Sequence, residues 1–555
     1  MKSQELAEGC AFDVQNQPSP FEAFNLYESD SVFVDFSRRL LNNEQQMELS
    51  NYGHALGHAD TMRAGRAANI NAPQLHRFDR FGHRIDEVEY HPSYHQLMDI
   101  SLAAGIHSEP WESEAEGRYA SHAAKMYLKH QIEQGTSCPT TMTFAAVPSL
   151  KLQPNVAEAW LPGLLSRKYD SRSIAPSQKQ GLLFGMAMTE RQGGSDVRAN
   201  ATRAEPEGSG GPGGAYRLSG HKWFCSAPMS DAFLTLAQAP GGLSCFVVPR
   251  ILPDERRNAL YFQRLKDKLG NRSNASSEVE FQGAHGVLLC EEGRGVATII
   301  EMVRHTRLDC VIGAASLIRR CTAEALHHAR QRYAFSKRLI DQPLMKNVLA
   351  DMCIESEAAA VSALELSALF EQAVTDADTA HLARLATSIV KYWATQRETV
   401  VAREALECTG GNGYIEDSPM PQLFRESPLN SIWEGSGNVQ CLDVLRTVQR
   451  NPHSLELFTD YARRHLPSGD PARAALDEVI TALRRAEHTL EAEARRLVQC
   501  LALVFQAAAL NKYAAEMTAE AFSATRLASI HSGILGSLPA TLPLDELIER
   551  NMPRS

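Results

Sequence analysis

Pairs of adjacent arginines recur towards the C-terminal end of the chain, at Arg463-Arg464, Arg484-Arg485 and Arg495-Arg496. The last two pairs begin eleven positions apart, close to three helical turns, so a continuous helix would carry Arg484, Arg485, Arg495 and Arg496 on one face. Such a stripe can neutralise phosphates, with an affinity that falls steeply as salt rises. Local ion pairing, as between Arg495 and Glu491, is the competing use of the same charges. Other chemistries find less support. The 19 histidines form no H-E-x-x-H motif and no cluster with zinc spacing, so no metal site is expected. There is no G-x-S-x-G nucleophile elbow. The glycine-rich run Gly208–Gly214 lacks a following GKS or GKT and reads as a hairpin tip rather than a phosphate cradle.

These residues need elements to hold them. At 555 residues the chain has room for about three or four domains. A 44% hydrophobic and 22% charged composition is that of a globular protein, and it excludes a fibrous or disordered chain. The net charge of −10 excludes a polycation that coats nucleic acid. The longest apolar run, near Leu497–Leu510, is broken by Gln499 and Gln506 and falls short of the ~20 residues a bilayer needs. The first residues read as neither signal nor transit peptide. Eleven cysteines without a CxxC suit reduced thiols, and the expected location is cytoplasmic.

Periodicity divides the chain. Residues 1–35 read as an arm and 36–183 as a helical domain broken at DRFGHR and HPSYH. Residues 184–290 carry short β-rich runs (YRLSG, DAFLTLAQ, LSCFVVP, SEVEF) and read as an antiparallel β domain. Helical period returns over 291–450, where Val311, Ala314, Ile318, Cys321 and Ala325 share a face. Asn451-Pro452 marks a boundary, and 451–555 read as a further helical domain. The fold class is therefore mainly α with a central antiparallel β domain. Ligand sites favour the crevices at such junctions.

Five segments then fall into one order. Met188-Thr189-Glu190-Arg191-Gln192-Gly193-Gly194-Ser195-Asp196 resembles T-E-x-x-x-G-S-D. Gly220-His221-Lys222-Trp223-Phe224-Cys225-Ser226 resembles G-x-K-x-W-I-T/S. Arg332-Tyr333-Ala334-Phe335-Ser336 resembles R-x-x-F-G. Gly410-Gly411-Asn412-Gly413-Tyr414 and Ile432-Trp433-Glu434-Gly435-Ser436 complete the set. Each is weak alone; together, over about 185–445, they resemble the acyl-CoA dehydrogenase superfamily of flavoproteins. Thr136–Ala146, His221–Phe224 and Ser431–Asn438 narrow the likeness to the AidB-type alkylation-response branch, which the extra helical domain also fits.

The resemblance implies FAD. A flavin ring is apolar on its faces and polar along one edge, so it wants short side chains and backbone N–H groups there. By analogy Met188, Thr189, Gly194, Ser195 and Ser226 serve that edge, Phe224 covers a face, and Cys225 lies between Phe224 and Ser226. Arg332 takes the position that holds the pyrophosphate, often across a subunit interface, and Phe335 packs beside the adenosine. Gly410 and Gly411 admit close backbone approach. By the same analogy Trp433 and Gly435 bind the cofactor, and Ser436 and Asn438 reach the flavin of the same or a neighbouring subunit. Two departures are Ser336, where the family has Gly, and Glu407, an acid near the expected phosphate.

Removing a weakly acidic α-proton calls for a carboxylate whose pKa burial has raised. Glu434 occupies the family's loop position for that base. Its backbone N–H, with a ribityl hydroxyl, would polarise the thioester carbonyl. Some members place the base on a helix; here that position is Thr306, which cannot serve. The resemblance implies an FAD protein of the DNA alkylation response, with duplex DNA binding and weak dehydrogenase activity on short or branched acyl-CoA. The alternatives are a fully active catabolic acyl-CoA dehydrogenase without a DNA role and an oxidase-like enzyme. Helix pairs after about 350 are expected to pack subunits, as a homotetramer. Residues 441–555 hold 13 Lys and Arg against 14 Asp and Glu, nearly neutral beside an acidic body, and no DNA-reading motif occurs there. Any DNA contact would go to the backbone.

Overall fold

The computed structural model describes residues 14–484, 487–528, 535–539 and 541–554. Residues 14–30 are turns and coil. The first helical part holds α1 (Ser31–Ser37), α2 (Asn43–Gly57), α3 (Ala59–Ile70), β1 (Gln74–Phe78), β2 (Arg84–Glu89), α4 (Pro92–Ala103), α5 (Glu109–Glu112), α6 (Arg118–His130), α7 (Ser137–Lys151) and α8 (Pro154–Leu164). The helical reading of this part omitted β1–β2, an antiparallel hairpin whose tip is the DRFGHR turn. Gly82 takes φ 87° there, which a side chain would resist.

The β domain comprises β3 (Phe184–Ala187), β4 (Arg203–Pro206), β5 (Ala215–Ser226), β6 (Ala232–Ala239), β7 (Gly242–Pro249), β8 (Leu260–Leu265) and β9 (Ser276–Leu289) in one seven-stranded sheet. The pairings β6–β4–β5–β9–β7–β6 close on themselves. The domain is not purely antiparallel, because β3 and β4 each meet β6 in parallel. The Gly208–Gly214 run is the β4–β5 hairpin tip, as its register of Pro206 against Tyr216 requires.

The bundle that follows is built from α9 (Gly295–Gln331), the small hairpin β10 (Tyr333–Ala334) and β11 (Lys337–Arg338), α10 (Pro343–Gln372), α11 (Ala377–Cys408), α12 (Gly411–Tyr414), α13 (Met420–Glu426) and α14 (Gly437–Arg450). Val311, Ala314, Ile318, Cys321 and Ala325 are all inaccessible to solvent. The last helices are α15 (His453–His465), α16 (Pro471–Leu483), α17 (Glu487–Tyr513), α18 (Glu516–Arg526) and α19 (Leu544–Asn551).

One sequence expectation needs correction. Arg484 caps α16, which ends at Leu483, while Arg495 and Arg496 lie in α17, so Arg484 does not stand on one continuous helix face with them. Arg485 lies outside the described residues. The chain's own C-terminal helices lie against α10 and α11. Lys512 and Tyr513 at the end of α17 bond Glu365 of α10 at 2.9 and 2.6 Å, and Asn551 of α19 bonds Glu357 at 2.7 Å.

Candidate functional site

Glu434 lies on the short loop before α14, with φ 57°, followed by Gly435 at 97°. The left-handed conformation costs a non-glycine residue about 1 kcal/mol and survives only where its surroundings enforce it. Here they do. Arg307 Nε and Gln440 Nε2 donate to the Glu434 carbonyl at 3.0 and 2.9 Å. Lys391 Nζ donates to the carbonyls on either side, Trp433 at 2.7 Å and Gly435 at 2.6 Å. Trp433 Nε1 donates to Asn430 Oδ1 at 2.9 Å. Arg307 is itself fixed by Asp443 of α14 at 2.9 Å. Burial lowers Lys391 to about 8, yet its two carbonyl partners are ones that an ammonium satisfies.

The carboxylate is held as firmly as the backbone. Thr306 Oγ1 donates to Glu434 Oε2 at 2.6 Å. Burial pushes the Glu434 carboxyl above the ordinary range, and the Thr306 hydroxyl, Lys391 and Arg307 offset that only in part. The backbone N–H of Glu434 has no hydrogen-bond acceptor among the described residues.

Facing this loop is a polar wall from three other elements. The Cys138 thiol at the start of α7 lies beside Asn274 and Ser226, and it feels the charges of Lys268 and Glu434. Burial pushes that thiol up to about 11. Asn274 is 1% exposed, and neither its Oδ1 nor its Nδ2 has a partner. A buried amide with both its donor and acceptor atoms unmet is costly unless a ligand or water meets them. Ser226 closes the wall, 3.0 Å from Ser276.

The β domain shapes the rest. Met188 and Thr189 are half-buried and Ser195 is exposed. A Cβ on Gly194 would stand 2.5 Å from Thr189 Oγ1, so glycine is required for the turn to close. Glu190, which the motif reading gave no role, pins that turn. It accepts from Lys222 Nζ at 2.8 Å and Thr202 Oγ1 at 2.6 Å, all in the core. Burial alone would raise this carboxyl; Lys222 brings it to about 2. Register shifts between Lys222 and Cys225 in β5. This bulge turns Phe224 outward to 45% exposure, a common device for re-aiming a side chain beside a site. The Cys225 thiol points the other way, into the core, where burial pushes it to about 12.

A second group of motif residues gathers elsewhere. Arg332 caps the far end of α9, and Phe335 and Ser336 form the tip of the β10–β11 hairpin with φ 52° and 63°. Phe335 is 95% exposed. Nothing stands within 4 Å of a Cβ placed on Gly410 or Gly411. Glu407, the acid expected to disturb a phosphate, turns to Arg403 at 2.5 Å instead. Thr306 and Arg332 are 26 residues apart on one helix, about 39 Å by its rise. One chain thus presents two half-sites: a polar-edged slot at Glu434, and an arginine with an open glycine backbone at the other end of α9. Asn438 belongs to neither alone: its Oδ1 accepts from Arg495 of α17 at 2.8 Å. Arg496 pairs with Glu493 within its own helix, and Arg484 caps α16.

These donor sets fit a flavin dinucleotide. An orphaned buried amide and a free N–H can meet the ring's polar edge, an outward aromatic can cover a face, and a cation beside bare glycine backbone suits phosphates. The chain is a member of the acyl-CoA dehydrogenase family, a class of FAD-dependent oxidoreductases. Residues 185–284 match the acyl-CoA dehydrogenase middle domain and 293–449 its C-terminal domain. Within that family it is of the AidB type, for residues 16–171 match the N-terminal domain of the adaptive response protein AidB. It is 46% identical to AidB of Escherichia coli (strain K12) over 80% of this chain and 82% of that one. Acyl-CoA dehydrogenase family member 11 of Caenorhabditis elegans is 29% identical over 78% of this chain and 72% of its own. The crystal structure of Caenorhabditis elegans ACDH-11 in complex with C11-CoA superposes with a TM-score of 0.85 and 26% identity, covering 96% of both chains. No helix among the described residues is long and apolar enough to cross a membrane.

Proposed function

We propose that the chain oxidises an acyl-CoA thioester between its α- and β-carbons, with Glu434 as the base that takes the α-proton. The observation that carries this is the Glu434 carboxylate itself, raised by burial and aimed by a 2.6 Å bond from Thr306. When bound, FAD supplies the hydride acceptor. The chain supplies the rest. Burial keeps the carboxylate from being too weak a base, and Thr306 keeps it in one rotamer. The unmet Glu434 N–H is placed to polarise the thioester carbonyl, which makes the α-proton more acidic. Met188, Thr189, Gly194, Ser195 and Ser226, the backbone of Cys225, Phe224, Trp433, Gly435 and Ser436 border the slot.

Arg332, Phe335, Gly410 and Gly411 hold the phosphate and adenosine end, but not of the same chain's flavin. The ~39 Å between the two half-sites exceeds the reach of one dinucleotide. A second copy therefore completes each site, and the working form is a homo-oligomer, a tetramer by the usual assembly of the family. Glu434→Gln is expected to retain FAD while losing the bleaching of its absorbance by short-chain acyl-CoA. Undiminished bleaching would move the base elsewhere.

A second role, in the DNA alkylation response, rests on the likeness to AidB and on the exposed Arg484, Arg495 and Arg496. Arginines so placed contact backbone phosphates without reading sequence. Alanine at these three positions should weaken duplex DNA binding and flatten its salt dependence. Unaltered binding would clear this face.

A further inference from the structure

The phosphate-end half-site has a contributor that none of the motifs marks. Three residues of the N-terminal arm lie across it. Asn16 clasps the backbone of Tyr333 from both sides: its Nδ2 donates to the Tyr333 carbonyl at 2.9 Å, and the Tyr333 N–H donates to its Oδ1 at 2.8 Å. The Asn16 carbonyl accepts from Arg332 Nη1. The Gln17 Oε1 accepts from Asn412 Nδ2 at 3.0 Å, in the first turn after the glycine pair. Ser19 anchors the stretch, through Gln331 Oε1 at 2.9 Å and through His327 Nε2, which donates to its carbonyl at 2.7 Å.

The geometry of Arg332 is what makes this more than a surface contact. Among the described residues its guanidinium has the Asn16 carbonyl as its one hydrogen-bond acceptor, so one donor of the fork is fixed and the rest stay free. An arginine held at a single point is pre-ordered for a phosphate without being neutralised. No carboxylate among the arm's described residues takes part. The same three residues bind the end of α9 to α12, and those segments lie 80 positions apart in the chain. Asn16 has φ 54°, a conformation asparagine adopts more readily than other side-chain-bearing residues.

We propose that Asn16 and Gln17 are positioning residues for the pyrophosphate end of FAD: the arm sets Arg332 and Asn412 at the distance that the two phosphates need. This rests on the flavin reading above. It adds that the cofactor site draws on a segment before the first helix, more than 300 residues from the arginine it serves.

The full-length chain is stripped of flavin and titrated with FAD, and apo and FAD-saturated melting temperatures are taken. Asn16→Gly keeps the left-handed backbone and removes the clasp; Gln17→Ala removes the bond to Asn412; Arg332→Ala is the reference. Asn16→Gly is expected to weaken FAD binding roughly tenfold. It should shrink the rise in melting temperature on FAD addition and leave the apo value near wild type. Gln17→Ala should move the same way by less. Wild-type affinity in Asn16→Gly overturns the proposal. So does a lower apo melting temperature with an unchanged FAD-induced rise, which would make the arm a structural pin alone. If Arg332→Ala loses FAD and Asn16→Gly does not, only the arm is exonerated; if wild type takes up no FAD, the flavin reading falls first and this one with it.

Discussion

At the scale of single residues the site turns on Thr306 and Glu434, which are 128 positions apart and joined by a 2.6 Å hydrogen bond. Thr306 stands where other members of the family place their base, and a threonine there cannot act as one. Its hydroxyl instead donates to the Glu434 carboxylate, the base proposed above. Because that bond favours the charged form, its loss must raise the Glu434 pKa further. Thr306→Val should therefore move the acid limb of the pH profile of kcat/KM to higher pH, since the active form is the deprotonated one. A limb that stays in place would mean the hydroxyl is only packing. A second buried acid gives a stability effect of known sign. Burial raises Glu426 from an ordinary 4.5 to about 7, even though Asn271 donates to it at 2.9 Å. The folded chain thus holds that proton more tightly than the unfolded chain does. The stability so gained is complete below about 4.5 and is lost as pH rises through about 7. Glu426→Gln should flatten the fall in melting temperature between pH 5 and pH 8; an equal slope in variant and wild type would show the proton is not held there.

At the scale of elements, turns and bulges decide what the strands and helices present. The β10–β11 hairpin closes through Phe335 and Ser336, both left-handed, and the family's glycine at the second position now has its reason. Ser336→Gly should relieve about 0.5–1 kcal/mol of strain and raise the melting temperature slightly; a lower value would mean the serine side chain is doing something its exposure does not suggest. The bulge in β5 shows how far local sequence carries. Strand β5 itself was legible from its alternation, and so was the tip before it. That Phe224 faces out while Cys225 faces the core was not, because an inserted bulge residue flips the parity. The base loop was legible because Trp433–Asn438 is a motif. The partners that hold it, Arg307, Lys391 and Gln440, come from other helices and leave no local mark. The arginine stripe misled for the opposite reason: no proline or glycine marks the end of α16 at Leu483, so the sequence there reads as continuing helix. The β1–β2 hairpin was missed although Gly82 sits in its turn, since five- and six-residue strands amid helices carry too little period to stand out.

At the scale of the whole molecule, the last hundred residues are not an appendage but the outer wall of the bundle. α17, α18 and α19 lie on α10 and α11, and the chain returns to its beginning where the Arg554 N–H donates to the Ser29 carbonyl at 3.1 Å. That arrangement joins the C-terminal helices to the arm, and through Arg495 and Asn438 to the start of the helix behind the base. The joint itself is charged and dry. Arg526 of α18, with a side chain 1% exposed, pairs with Asp351 and with Glu355 of α10, and Glu355 also takes Arg397 of α11 at 3.0 Å. Charges in such a place are costly to bury and more costly to leave alone. Arg526→Met removes the one cation that reaches Asp351 among the described ion pairs and keeps the bulk. The variant should lose about 3–5 kcal/mol of stability. The exposed pair Arg463–Asp477, 2.7 Å apart and over half open to solvent, is the control: Arg463→Ala should cost no more than about 1 kcal/mol. If the C-terminal helices fold as a unit with the bundle, Arg526→Met lowers one cooperative transition in which flavin release and loss of helix coincide. If instead the helical signal splits, with the flavin retained to the wild-type temperature, the wall is a separate domain resting against the bundle, and its link to the base loop through Arg495 carries no stability.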